Sequence, residues 1–120
     1  MNQKERMLAG LPYKAWQDGL TEDRAACKKL VYRLNHLPPE RQDEVPALLK
    51  SLFGKTGNNV FVEAPFHCDC GYNIVVGENF FANYNLTILD VARVTIGKNV
   101  LIAPNVSLYT AGHPLHPDSR

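Results

Sequence analysis

Cysteine is scarce. The chain has three, Cys27, Cys68 and Cys70, an odd number in no disulfide pattern. They fit a reducing compartment rather than an oxidising one. Charge of one sign is also lacking: 13 Lys and Arg face 12 Asp and Glu, a formal net charge of +1. Nothing in that balance predicts nucleic acid or an anionic membrane surface as partner. No apolar run approaches the ~18 residues that a membrane span needs. Met1-Asn2-Gln3-Lys4-Glu5-Arg6 leads into no apolar signal region, so a cytoplasmic protein is expected. A length of 120 residues fits one domain, or one domain with a small appendage.

What is present is a six-residue frame between Val76 and His113. One register gives Val76, Ala82 and Ile88. After a two-residue slip at Val94-Thr95, another gives Ile96, Ile102 and Leu108. Four residues after each stands a second column: Phe80, Leu86, Ala92, Val100, Val106 and Gly112. Phe80/Ala82, Leu86/Ile88, Val100/Ile102 and Val106/Leu108 are two apart, so each pair shares one face of a strand. Between the columns stand Gly77-Glu78-Asn79, Gly97-Lys98-Asn99 and Ala103-Pro104-Asn105. Gly, Asn and Pro bend a chain, and Asn tolerates the left-handed region. The unit is a very short strand and then a corner. Hairpins have longer strands and no fixed six-residue column, so the frame predicts a mainly β solenoid with Ile96, Ile102 and Leu108 buried. The frame extends backwards as Val60 with Ala64 and Phe66 with Cys70. Its interruptions, at Gly71 to Val76 and at Val94-Thr95, are candidate ligand surfaces.

Residues 1–54 have a different texture, and 55–120 hold the hexads. Thr21 is placed to cap a helix, with Glu22 and Asp23 in its first turn. Cys27, Leu30, Val31 and Leu34 follow at helical spacing, up to Asn35-His36 and the break at Pro38-Pro39. A second helix is expected from Glu40 to Phe53, with a boundary or kink near Val45 because of Pro46 and an end at Gly54. So short a helix pair has little core of its own. It is expected to cover the open end of the first coil, with Tyr13 and Trp16 packed between the two parts.

Few residues offer chemistry. His113 follows Gly112 and precedes Pro114, at the corner where the frame stops, and a histidine titrates near neutral pH as a general base. Asn83, Asn85 and Asp90 lie in corners, and Asp69 lies just before Cys70. Corner Asn and Asp are turn formers first, but a polar column on a solenoid equally lines a groove. His67-Cys68-Asp69-Cys70 looks like a metal cluster. Its Cys-x-Cys spacing and the lack of a second Cys/His pair argue against zinc, so no metal is expected.

Several strings resemble a known family. They are Asp69-Cys70-Gly71-Tyr72-Asn73-Ile74, Asn79-Phe80-Phe81-Ala82-Asn83-Tyr84-Asn85, Leu89-Asp90-Val91, Ile102-Ala103-Pro104-Asn105-Val106 and Thr110-Ala111-Gly112-His113-Pro114. Together with Met7-Leu8-Ala9-Gly10 and Arg33-Leu34-Asn35-His36, they are similar to the maltose and galactoside O-acetyltransferases of the hexapeptide-repeat superfamily. The resemblance implies a left-handed parallel β-helix, an exception to the right-handed crossover rule, with a helical N-terminal segment. It implies a homotrimer with active sites between subunits, and acetyl transfer from acetyl-CoA to a sugar hydroxyl. It also implies His113 as the catalytic base, Asn83 as a catalytic residue that touches both substrates, and Asp69, Phe81 and Asp90 on the sugar side.

The chain departs from the family in places. Ala15 and Val91 stand where the galactoside branch has carboxylates. Asp69 and Leu89-Asp90-Val91 look more like the maltose branch, whereas Asn85-Leu86-Thr87-Ile88 looks like the galactoside branch. Family members continue through further coils that supply much of the coenzyme A contact, so the resemblance implies a β-helix that is incomplete at Arg120. Two other classes stay open: a hexapeptide-repeat zinc enzyme of carbonic anhydrase type using His67, His113 and His116, and a non-catalytic trimeric scaffold.

Overall fold

In a computed structural model, the structure describes residues 1–111. Among the described residues, nine short strands follow the helices: β1 Lys55–Thr56, β2 Phe61–Val62, β3 Phe66–Cys68, β4 Ile74–Val76, β5 Phe81–Ala82, β6 Leu86–Leu89, β7 Val94–Ile96, β8 Leu101–Ile102 and β9 Ser107–Tyr109. They form three parallel sheets, β1-β4-β7, β2-β5-β8 and β3-β6-β9. Each coil therefore gives one strand to each face of a prism, and the fold is a left-handed parallel β-helix.

The inward column is the one the hexads predict, with two adjustments. Val76, Phe80, Ala82, Leu86 and Ile88 are all buried. Each of the four larger side chains contributes roughly 1.5–3 kcal/mol by leaving water. The coil, however, is longer than three hexads. Val76 pairs with Ile96 and Asn59 stacks on Asn79, each twenty residues on. The two extra residues sit in the corner before β4 and again before β7. For this reason Val94, which pairs with Ile74, takes the inward place that the frame gave to Ala92. The backward extension is out of phase by two residues. Phe66 pairs with Leu86 and Cys68 with Ile88, so the inward pairs are Val60/Val62 and Phe66/Cys68. Cys70 is buried, but in a separate cluster with Met7 and Leu20. Ile96, Ile102 and Leu108 pack on the core and are only half-buried, because no described residue covers the last coil.

The corners are built by residues chosen for backbone shape. Asn59, Asn79 and Asn99 stack at one corner with φ of 59°, 57° and 61°. Each amide donates to the next, at 3.0 Å and 2.8 Å. Asn85 and Asn105 do the same backbone work at another corner, with φ of 64° and 62°. Gly77 is needed for closeness instead: a Cβ there would lie 2.7 Å from the Lys98 amide nitrogen of the next coil.

The helices close the first coil. α1 spans Gln3–Leu8, α2 Leu20–Asn35 and α3 Val45–Leu52. Leu48, Leu49, Leu52 and Phe53 share one core with Val60, Val62 and Phe66. Asn35 fixes α2 to β3 by accepting from the Phe66 amide and donating to its carbonyl, both at 2.9 Å. The chain differs from the sequence reading at the helix ends. Gly19, at φ 80°, precedes α2 and no side chain caps it, so Thr21 lies inside the first turn. The second helix is split at Val45, as Pro46 requires: Pro39–Glu44 is a 3₁₀ helix and α3 follows. Gly54 forms no left-handed cap; its N–H donates to the Ile74 carbonyl at 3.0 Å. Trp16 is 70% exposed rather than packed, while Tyr13 packs against the Met7–Leu20–Cys70 cluster.

Candidate active site

Polar chemistry gathers in the turn before β4, residues 69–73, which overlaps the first interruption of the frame at Gly71 to Val76. Gly71 takes φ 81° there, and a Cβ would lie 2.6 Å from the Leu52 carbonyl oxygen. The turn is held from the next coil by Asp90, which is fully buried. One Asp90 carboxylate oxygen accepts the N–H groups of Asp69 at 3.1 Å and Cys70 at 2.9 Å. The other accepts that of Asn73 at 3.2 Å, and the Asn73 amide donates back to the Asp90 carbonyl at 2.9 Å. Burial pushes the Asp90 carboxyl above the usual carboxylate range, and these backbone donors hold the rise in check.

Asp69, so placed, lines a cavity of about 230 Å³. The walls are Met7, Tyr13, Ala15 and Leu20 from the N-terminal segment, Cys70 and Val91 from the two corners, and Ala111. Arg24 of α2 is its second charged group. Burial pushes the Asp69 carboxyl up, and the Arg24 guanidinium pulls it partly back. Burial and the nearby Asp69 likewise raise the Tyr13 hydroxyl. Outside the cavity, Lys4 meets Asp23 at 3.1 Å and lies over the Tyr72 ring, whose hydroxyl donates to Asp23 at 2.8 Å. That network fastens α1 and α2 to the same turn.

The expected site residues are therefore not all in one place. Asp69 is in the cavity. Asp90 is beneath it, out of solvent, acting on the turn rather than facing the space. Phe81 and Asn83 belong to a different face. Phe81 stacks on Phe61, with ring centroids 6.3 Å apart and planes 9° apart. Asn83 accepts the Tyr84 N–H on its side-chain oxygen at 2.8 Å. Neither lines the cavity. His113 and His116 lie outside the described residues, two and five positions beyond cavity-lining Ala111. His67 is exposed, and no cluster of three metal-ligating side chains occurs among the described residues. Sequence reasoning missed Arg24. Its signal was there: Leu20, Arg24 and Cys27 follow helical spacing, so Arg24 is a charge on the buried stripe of α2.

Known proteins resemble the chain along its full length. Residues 6–57 match the maltose acetyltransferase hexapeptide capping motif. The galactoside O-acetyltransferase of Escherichia coli is 45% identical over all 120 residues, which cover 59% of that protein. The crystal structure of a maltose O-acetyltransferase from Clostridium difficile superposes with a TM-score of 0.97 at 45% identity, over 100% of this chain and 64% of that one. A galactoside acetyltransferase in complex with coenzyme A superposes at 0.96 and 45% identity, over 100% and 60%. The chain thus spans about three fifths of the length of the relatives it matches. In sequence and in fold, the chain is similar to the maltose and galactoside O-acetyltransferases of the hexapeptide-repeat type.

Proposed function

We propose that the protein transfers an acetyl group from acetyl-CoA to a hydroxyl of a sugar, of maltose, glucose or galactoside type, in the cytoplasm and without a metal. The observation that carries this reading is the cavity of Asp69 and Arg24. Ala111, within the Thr110 to Pro114 string that holds His113, lines it, and it occurs in a chain so close to proteins named for that reaction. A carboxylate and a guanidinium facing one small space suit a polyol, since both bond hydroxyls directionally.

In this mechanism His113 takes the proton of the sugar hydroxyl as its oxygen attacks the thioester carbonyl. The thiol leaves with that proton. No covalent acyl-enzyme is needed, and no serine or cysteine adjoins His113. Asn83 supports the developing negative oxygen. Its side-chain oxygen is committed to the Tyr84 N–H, which leaves its NH₂ as a donor.

The active unit is a homotrimer in this reading. Phe81 and Asn83 lie apart from the cavity within one chain, so a neighbouring copy is what unites the two sets. The face that carries them has an outward apolar column, Phe61, Phe81 and Leu101 in register, and Leu101 is 78% exposed. Such a column on a sheet face is suited to burial between copies.

The test is an assay of thiol release from acetyl-CoA with maltose, glucose and a galactoside. The protein should turn over at least one of them, and His113→Ala should lower kcat about a hundred- to ten-thousand-fold with the fold retained. Near-normal turnover in that variant would remove His113 as the base.

A further inference from the structure

Two thiols outside the candidate active site lie against each other. Cys27 is on α2 and Cys68 on β3, and their sulfurs are 3.4 Å apart. The Cys27 sulfur also lies 3.6 Å from the Cys68 carbonyl oxygen. Both are free cysteines; Cys27 is buried and Cys68 partly exposed. Cys70, the third, packs elsewhere with Met7 and Leu20. Two sulfurs on separate elements, already in contact, need to close by only about 1.4 Å to reach bonding distance.

We propose that Cys27 and Cys68 are a redox pair that a peroxide converts to a reversible disulfide. That bond would tie α2, which supplies Arg24, to the strand that runs directly into Asp69, and so fix the two charged walls of the cavity relative to each other. The linkage itself does not depend on the acetyl-transfer reading.

The chemistry follows from the contact. Hydrogen bonding from the Cys68 thiol holds the Cys27 thiol below its ordinary range and pushes Cys68 up, so Cys27 is the better thiolate and Cys68 the resolving thiol. The Cys27 thiolate attacks one peroxide oxygen. The O–O bond breaks, and with a proton from solvent the products are a sulfenic acid and one water. The Cys68 sulfur then attacks the Cys27 sulfur. The S–S bond forms, the S–O bond breaks, and hydroxide leaves with the Cys68 proton as a second water. Two thiols are oxidised and one peroxide is reduced. A thiol reductant reverses the step. Cys27 is buried, so the peroxide reaches its sulfur past the partly exposed Cys68 that lies against it.

The experiment treats the native 120-residue chain with hydrogen peroxide at low protein concentration. Remaining thiols are alkylated, and the peptides are mapped by mass spectrometry. Two of three thiols should be lost together, with Cys27 joined to Cys68 and Cys70 alkylated. Dithiothreitol should restore all three. The melting temperature should rise on oxidation and return on reduction. Cys70→Ser should keep the bond, whereas Cys27→Ser and Cys68→Ser should abolish both the bond and the shift in melting temperature. Because the wild-type map alone identifies the pair, a poorly folded variant does not leave the proposal untested. Bonds that involve Cys70, bonds between chains, or three thiols that survive peroxide would each overturn it.

Discussion

Asn73 and Asp90 bind each other twice across a corner, through the Asn73 N–H on the Asp90 carboxylate at 3.2 Å and the Asn73 amide on the Asp90 carbonyl at 2.9 Å. With the N–H groups of Asp69 and Cys70 on the same carboxylate, one buried anion sets the path of the whole turn that presents Asp69. Three backbone donors converge on it.

Asp90→Asn should therefore cost about 1–3 kcal/mol, the usual loss when a buried N–H is left without its acceptor. The amide replaces one acceptor oxygen with an NH₂ that faces an N–H. Urea denaturation of both proteins measures the loss. A cost within error of zero would show that solvent reaches the turn and satisfies it.

Stacking makes an unequal pair of the glycines at one corner. Gly77→Ala puts a Cβ 2.7 Å from Lys98 N and 2.9 Å from the Gly97 carbonyl carbon, both backbone. One coil on, nothing lies within 4 Å of a Cβ at Gly97 among the described residues. In the 120-residue chain, Gly77→Ala should cost roughly 1–3 kcal/mol by overpacking and Gly97→Ala much less. Thermal melts of the two variants would separate them. Equal losses would mean that Gly97 is also covered.

Asp23 should steepen the acid side of the stability profile. Burial raises its carboxyl, but the Tyr72 hydroxyl, Lys4 and Arg24 outweigh that, and the net position is below the usual range. A lowered folded-state pKa gives stability that is present above the unfolded value and lost as pH falls through the folded one. Asp69 and Asp90, which are raised, act in the opposite sense, so the comparison must isolate Asp23. The difference in melting temperature between wild type and Asp23→Asn should be largest near neutral pH and shrink towards pH 2–3. A constant difference would place the effect in packing.

How much could be read from the chain depended on whether the signal was local. The inward columns were legible because Phe80/Ala82 and Leu86/Ile88 repeat within the sequence, and a repeat checks itself. Its phase before β4 was not, since the two extra residues at the 69–73 turn carry no hydrophobic mark; Cys70 took the inward place that belongs to Cys68. The split at Pro46 was legible from proline sterics. The end of α2 was not, because Gly19 enters it through a left-handed backbone while Thr21 offers a better-looking cap. At the site, Asp69 was found by resemblance. Arg24 was passed over because a charge on a buried stripe declares itself only when the stripe is compared with what it packs against.

On the acetyl-transfer reading, the cavity charges hold the sugar. Asp69 has no hydrogen-bond partner for its carboxylate among the described residues, although its own N–H is bound to Asp90. It is therefore available to accept from sugar hydroxyls. Asp69→Asn should raise KM for the sugar about tenfold, the loss of one charged hydrogen bond of about 1.4 kcal/mol. KM for acetyl-CoA should stay unchanged, because nothing in the cavity argues for contact with the thioester. The pH profile separates this from a structural effect. Burial raises the Asp69 carboxyl and Arg24 opposes that rise, so KM for the sugar should fall as pH climbs through the raised value and the ionised form takes over. Arg24→Gln should move that inflection to higher pH, and Asp69→Asn should erase it. If KM for the sugar has the same pH dependence in wild type and Asp69→Asn, the carboxylate takes no part in holding the acceptor.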